Sequence, residues 1–362
     1  MVPQAGPSRA DREGGAGSLI PVALVTCRRL PDLTSDDRLL LEPLRERGIA
    51  AGPVVWDDPG ADWSRYAGVV VRSPWDYHVK PLAFGRWIDR VERSGVPLWN
   101  PPAVLRWNLH KSYLEELAGE GAAVVPTRRL RRGRSASLRQ VMDETGWTRA
   151  VVKPAISAGA RRTMLVDRAG AQARERAVRT LLSRVDVLVQ PYVAAVAELG
   201  EWSVVFLDGA YSHSALKRPC RGDFRVQERF GGSYAAAEPP PELVDQARRV
   251  AEAGRSLAAR HELGGHLHGA VQPSAGERRG HPDGGGQASP NGRESDLLYA
   301  RVDGVYEDGV FTLLELEVLE PSLFFELEPG SADRFADALA GRVARRPTTP
   351  APGPRPSATL SP

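Results

Sequence analysis

Tyr299-Ala300-Arg301-Val302-Asp303 and, past a turn at Glu307-Asp308-Gly309, Leu314-Glu315-Leu316-Glu317 are the two stretches around which the rest of the chain is organised. Successive side chains of a strand point to opposite faces, so Arg301 and Asp303 project together, as do Glu315 and Glu317. Residues 297–305 and 310–316 read as two strands, and if they pair through the turn, three carboxylates and one guanidinium crowd one patch. Carboxylates that close raise one another's pKa unless a divalent cation sits among them. Oxygen ligands without a histidine suit Mg²⁺, which takes a few carboxylates and completes its shell with substrate phosphates. A solvated strand face with salt bridges inside the sheet fits the same residues.

Upstream, residues 201–207 and 210–216 flank Asp208-Gly209, a strong hairpin signal. Helices are expected over 111–118, 170–184, 241–260 and 332–343, with short strands at 150–153 and 187–190. This is an α+β region of antiparallel sheets. The beginning of the chain differs. Apolar runs at 21–25, 54–56, 69–71 and 96–99 alternate with helical segments at 36–47 and 82–93. Continuous rather than alternating apolar strands imply a mainly parallel α/β sheet, which presents ligands beyond its carboxyl ends. Residues 1–18, 272–296 and 346–362 are polar or rich in Gly and Pro and are expected to be disordered.

Composition narrows the function classes. The 362 residues are 42% hydrophobic, enough for globular cores, and Lys+Arg 48 against Asp+Glu 45 leaves a formal charge of +3. So small a surplus makes no general polyanion surface, and nucleic acid is not an expected partner. The arginines at 128, 129, 131, 132, 134 and 139 lack interleaved aromatics and read as a solvated connector. Cys27 and Cys220 make neither a disulfide framework nor a zinc spacing, and His261, His266 and His268 lack companion ligands. Without a membrane-length apolar run or a signal peptide, no membrane partner and a cytoplasmic location are expected. Homo-oligomerisation is left open.

Cations stand at strand ends. Lys153 closes the run Val151-Val152-Lys153 ahead of Ser157-Ala158-Gly159-Ala160, a small-residue loop whose backbone N–H groups suit a phosphate. Lys217-Arg218 ends another strand, and Arg225 precedes Gly231-Gly232. Gln190-Pro191-Tyr192-Val193 reads as a strand running into a hinge, and Arg72, Asp76 and Tyr77 follow the strand at 69–71. Arg72 at that position could pair with a substrate carboxylate, and Asp76 with an amino group.

In this order, over about residues 20–343, these features resemble the ATP-grasp superfamily of ligases. Within it the chain is similar to cycloserine-forming cyclo-ligases that act on O-ureido-serine, and more distantly to glutathione synthetases. Val71-Arg72-Ser73-Pro74-Trp75-Asp76-Tyr77, Arg106-Trp107-Asn108, Val152-Lys153-Pro154 and Tyr299-Ala300-Arg301-Val302-Asp303 carry that likeness. It implies a pre-ATP-grasp domain over 19–105 and an ATP-grasp domain of two α+β subdomains over 106–345, with a mobile subdomain at about 148–192. It implies ATP, with Lys111, Lys153, Ser157 and Gly159 at the phosphates, Gln190, Tyr192 and Val193 at adenine, and Glu198 or Glu201 at the ribose. It further implies Mg²⁺, two ions with Mn²⁺ as a substitute, on Asp303, Glu315 and Glu317. Arg301, Lys217 and Arg225 become the catalytic cations, and Arg72, Asp76 and Tyr77 the contacts to a small carboxylate substrate. The implied reaction makes an acyl phosphate that an amine attacks, within one molecule or between two. Glu317 departs from the superfamily, where Asn is frequent, and the phosphate loop holds one glycine where relatives have more. An ATP-binding sensor without turnover is the alternative from another class.

Overall fold

The computed structural model describes residues 19–134, 137–263 and 297–345; the three segments expected to be disordered lie outside these, as do His266 and His268. Strands β1 (Ile20–Thr26), β2 (Ile49–Val55), β3 (Gly68–Ser73) and β4 (Leu98–Trp99) form a parallel sheet in the order β2-β1-β3-β4. Val22 to Val25 and Val69 to Val71 are fully buried, as unbroken apolar strands covered on both faces must be. The helix Pro81–Arg93 starts on proline and buries Phe84, Trp87, Ile88 and Val91 along one stripe. The single helix expected over 36–47 is instead two, Ser35–Arg38 and Leu41–Glu46. Pro43 accounts for the break: it has no amide hydrogen, and its ring crowds the carbonyl four residues back.

A second sheet contains β5 (Arg128–Leu130), β6 (Arg149–Pro154), β7 (Met164–Asp167) and β8 (Val187–Pro191), antiparallel in the order β5-β8-β6-β7. The arginine-rich connector thus supplies an edge strand of this sheet. Charge does not prevent this, because an edge strand keeps one side open to water. Leu130 is buried, whereas the Arg129 guanidinium pairs with Glu115 at 3.1 Å. The helices Leu138–Thr145 and Ala171–Leu182 cover the sheet through Leu138, Met142, Val178 and Leu182.

The third sheet holds β9 (Glu201–Leu207), β10 (Ala210–Arg218), β11 (Ser233–Ala236), β12 (Tyr299–Glu307) and β13 (Val310–Glu317), antiparallel in the order β11-β10-β9-β12-β13. Both of its tight hairpins turn on Asp-Gly, with φ of 49° and 80° at Asp208-Gly209 and 50° and 80° at Asp308-Gly309. Positive φ at both central residues matches the twist of the flanking strands, which is why this dipeptide signals a hairpin. The helix Pro241–Leu263 packs on one face of this sheet, and Ser331–Ala344 contacts β9 and β10. The first and third sheets are stitched together. Asn100 Nδ2 donates to the Tyr299 and Val318 carbonyls, both at 2.8 Å, and the Tyr299 hydroxyl donates to Val71 O at 2.6 Å. Among the described residues no helix is long and apolar enough to cross a membrane.

Candidate functional site

The ladder between β12 and β13 sets Arg301 opposite Glu317 and Asp303 opposite Glu315. Directly opposed residues share a face, so all four side chains meet on one side of the sheet. The next strand adds Ser203 opposite Asp303, and the one beyond sets Lys217 opposite Glu201. Asp303 therefore collects Arg301 Nη2 at 2.8 Å, Lys217 Nζ at 3.2 Å and the Ser203 hydroxyl at 2.6 Å. Lys217 also ion-pairs with Glu201. Arg301 Nη2 reaches Glu317 at 2.5 Å, and Lys111 Nζ reaches Glu315 at 2.9 Å while donating to Ser157 O at 2.9 Å.

Charge crowding sets the titration of these groups. Burial alone would raise the Asp303 carboxyl, but Arg301 and Lys217 outweigh it and hold Asp303 well below the usual carboxylate range. Glu315 is likewise lowered, burial being overcome by Lys111 and Lys153. Burial pushes Glu317 up to about 8, its pairing with Arg301 being insufficient against burial and the Glu315 and Asp303 charges. Burial also lifts Glu320 to about 7, although the Tyr77 hydroxyl bonded to it works the other way. Burial pushes the Lys153 ammonium below its ordinary value, with Glu315 resisting and Lys111 adding to the effect.

These groups line one cavity of about 920 Å³, within the size range of small-molecule sites. Lys111, Lys153, Ser157, Gly159, Gln190, Tyr192, Val193, Glu201, Lys217, Arg225, Arg301, Asp303, Glu315 and Glu317 all reach it. Val125, Val151, Val196 and Leu314 line the same cavity as Gln190 and Tyr192 and add apolar surface to it. Arg225 is held in a double hydrogen bond by Asp223, its Nη2 at 2.7 Å, and lies 3.6 Å over the Phe230 ring. Among the described residues no three His, Cys, Asp or Glu side chains form a ready cation cage. Each carboxylate faces an internal cation instead. The donor set remains all oxygen on adjoining strands, which fits Mg²⁺ that takes part of its shell from phosphate.

Four residues singled out in the sequence do not line the cavity. Arg72 is 0% exposed, with Nε on Asp37 at 2.9 Å and Nη2 on Pro321 O at 2.9 Å. Its expected pairing with a substrate carboxylate is corrected: the guanidinium faces protein. Asp76 accepts from the Trp56 indole at 2.7 Å, and Tyr77 is buried against Glu320. Glu198 is exposed at the end of the short helix Ala195–Glu198, and of the two ribose candidates only Glu201 is at the cavity. His261, set aside as a metal ligand, meets Glu116 at 2.7 Å. Sequence reasoning missed Ser203, Glu320, Asp36, Tyr234 and Glu326. Ser203 was within reach, two residues after Glu201 and so on the same strand face.

Residues 22–100 match the family described as D-cycloserine synthetase DcsG, N-terminal domain. The chain is 32% identical over 327 residues to the cycloserine biosynthesis protein DcsG of Streptomyces lavendulae, spanning 89% of this chain and 98% of that one. The crystal structure of D-cycloserine synthetase DcsG is similar with a TM-score of 0.73 and 29% identity, over 89% of this chain and 99% of that one. A Bacillus anthracis D-alanine–D-alanine ligase complexed with ATP shares the fold at a TM-score of 0.56 and 13% identity, over 90% and 98% of the two chains. Three sheets closing on a chamber of lysines, arginine and carboxylates define an ATP-grasp ligase, an ATP-dependent enzyme. The chain belongs to the family of the cycloserine synthetase DcsG.

Proposed function

We propose that this ligase activates the carboxylate of a small amino-acid derivative of the O-ureido-serine class and closes it into a ring through a nitrogen of the same molecule. The observation that carries the reading is the single cavity where Lys111, Lys153, Arg301 and the carboxylates of β12 and β13 converge. Likeness to a cycloserine synthetase along nearly the whole chain supports the choice of substrate.

In this reading Lys111 and Lys153 hold the nucleotide phosphates, with the Ser157 to Gly159 backbone beside them. The segment Gln190 to Val193 takes the adenine edge and Glu201 the ribose. Asp303, Glu315 and Glu317 are the oxygen donors for one or two Mg²⁺ ions, with Mn²⁺ as a substitute. When bound, the ions would neutralise charge on the transferring phosphoryl group. Arg301, fixed by Asp303 and Glu317, keeps its guanidinium beside that charge, and Lys217 and Arg225 add positive potential. The sheet built from β5 to β8 is the part that closes over the nucleotide, and the reaction belongs in the cytoplasm, where ATP is supplied.

The balance is simple. A carboxylate oxygen of the substrate forms a bond to the γ-phosphorus as the bond to ADP breaks. The nitrogen then attacks the acyl carbon and gives up its proton to solvent or the departing phosphate, the C–O bond to phosphate breaks, and inorganic phosphate leaves with the substrate's oxygen. Tethering the nucleophile removes most of the entropy cost of a bimolecular step. Substrate labelled with ¹⁸O in its carboxylate is expected to deliver the label to inorganic phosphate. Unlabelled phosphate formed alongside product would falsify the acyl-phosphate route.

A further inference from the structure

We infer that Arg72, Trp75 and Tyr77 are positioning residues, which hold the turn Glu320-Pro321-Ser322 and through it aim Arg301 into the cavity. The turn follows β13, and the end of β3 grips it at successive peptides. The Trp75 indole donates to Glu320 O at 3.1 Å, and Arg72 Nη2 donates to Pro321 O at 2.9 Å. The next carbonyl, Ser322 O, accepts from Arg301 Nη1 at 2.9 Å. Tyr77 bonds to the carboxyl of Glu320. Fixing two consecutive carbonyls leaves the third little freedom of direction, and that third carbonyl is the partner of Arg301 outside the acidic cluster.

The grip is rigid because its own parts are buried. Arg72 is fully enclosed, paired with Asp37 and 5.0 Å from the ring of Tyr299, which begins the strand that carries Arg301. Downstream, Asp36 accepts from the amides of Leu323 at 3.2 Å and Phe325 at 2.6 Å, so the flank after the turn is also tied to the first sheet's side of the molecule. A catalytic guanidinium works only if its neighbours lock it in a productive direction. Arg72 and Tyr77, expected from sequence to touch substrate, act one layer behind the cavity wall, which Trp75 itself joins.

This inference rests on Arg301 meeting the transferring phosphoryl group. The test compares Trp75→Phe/Tyr77→Phe, which removes the indole N–H and the hydroxyl but keeps both rings, with the parent and Arg301→Lys. Amide hydrogen exchange in residues 318–326 is expected to speed up in the double variant, while that of β1 and β3 and the melting temperature stay near the parent. With ATP, Mg²⁺ and O-ureido-serine, its kcat for ADP release is expected to fall about 10- to 100-fold, the scale of a small misplacement, with KM for ATP within about twofold. Exchange at the parent rate overturns the grip on the turn, a reading independent of any substrate. Faster exchange with unchanged kcat overturns the aiming of Arg301. Arg301→Lys at the parent kcat would instead overturn the role given to Arg301 itself.

Discussion

Arg301 lies two residues before Asp303 on β12 and closes both Nε, at 2.9 Å, and Nη2, at 2.8 Å, on that carboxylate. The same Nη2 meets Glu317 directly across the ladder. Three charges are thereby fixed by one hairpin register, and the guanidinium has no freedom to turn. Arg301→Lys keeps a positive charge against Asp303 but loses the planar fork. Its turnover is expected to fall by about 10²–10³, as when a preorganised donor to developing charge is removed. Steady-state ADP release reads this, with circular dichroism to establish that the fold is kept. Turnover within a few-fold of the parent would remove Arg301 from the chemistry.

Lys153 makes no ion pair with a described residue, and burial holds its ammonium below the ordinary lysine range. A buried amine at the cavity wall with no ion partner among the described residues is suited to an incoming anion. Lys153→Met should weaken Mg–ATP binding by about 10- to 100-fold, the worth of one charge-assisted hydrogen bond. It should leave the melting temperature without nucleotide unchanged or higher. Calorimetric titration decides, and unaltered affinity would take Lys153 away from the phosphates.

Asp36 and Glu326 face each other at the cavity wall, where the Tyr234 hydroxyl donates to Glu326 at 2.9 Å. Burial, together with the hydrogen bond and charge of Glu326, pushes Asp36 up to about 8. The folded chain thus keeps a proton that the unfolded chain releases above its ordinary value of 3.8. Where the folded state binds more protons, stability falls as pH rises, here from near pH 4 up to about pH 8. Glu326→Gln replaces the second carboxylate with an amide and should flatten that slope. Melting curves from pH 5 to 9 check the sign: the variant's advantage should grow up to about pH 8 and then level off.

Asp37 and Arg72 form a pair with both side chains almost wholly buried, at 2.9 Å. Asp37→Ala leaves the guanidinium uncompensated and should cost about 3–5 kcal/mol of stability, far more than loss of an exposed pair. Urea denaturation measures this; a loss below about 1 kcal/mol would mean that the pair is no stronger than an exposed one.

The acidic hairpin was legible because alternation and an Asp-Gly turn are local signals. Once β12 and β13 pair, the meeting of Arg301 with Glu317 and of Asp303 with Glu315 follows from strand geometry. Arg72 was misplaced for an equally physical reason. Its position at a strand's carboxyl end suggests a ligand, but Asp37 and Pro321, its partners in space, leave no trace in the spacing around it. The edge strand β5 was hidden by its arginines, since charge says nothing against an open edge. Asp36, Tyr234 and Glu326 come from three distant segments, and only the folded chain brings them to one wall.

The most direct measurement is mass spectrometry of a reaction containing ATP, Mg²⁺ and O-ureido-serine, with ADP and phosphate counted in parallel. One ADP is expected per molecule of ring-closed product, with or without the carbamoyl group on the attacking nitrogen, and no adduct of two substrate molecules. A product joining two molecules, or no ADP release above background, would contradict a cyclising ligase.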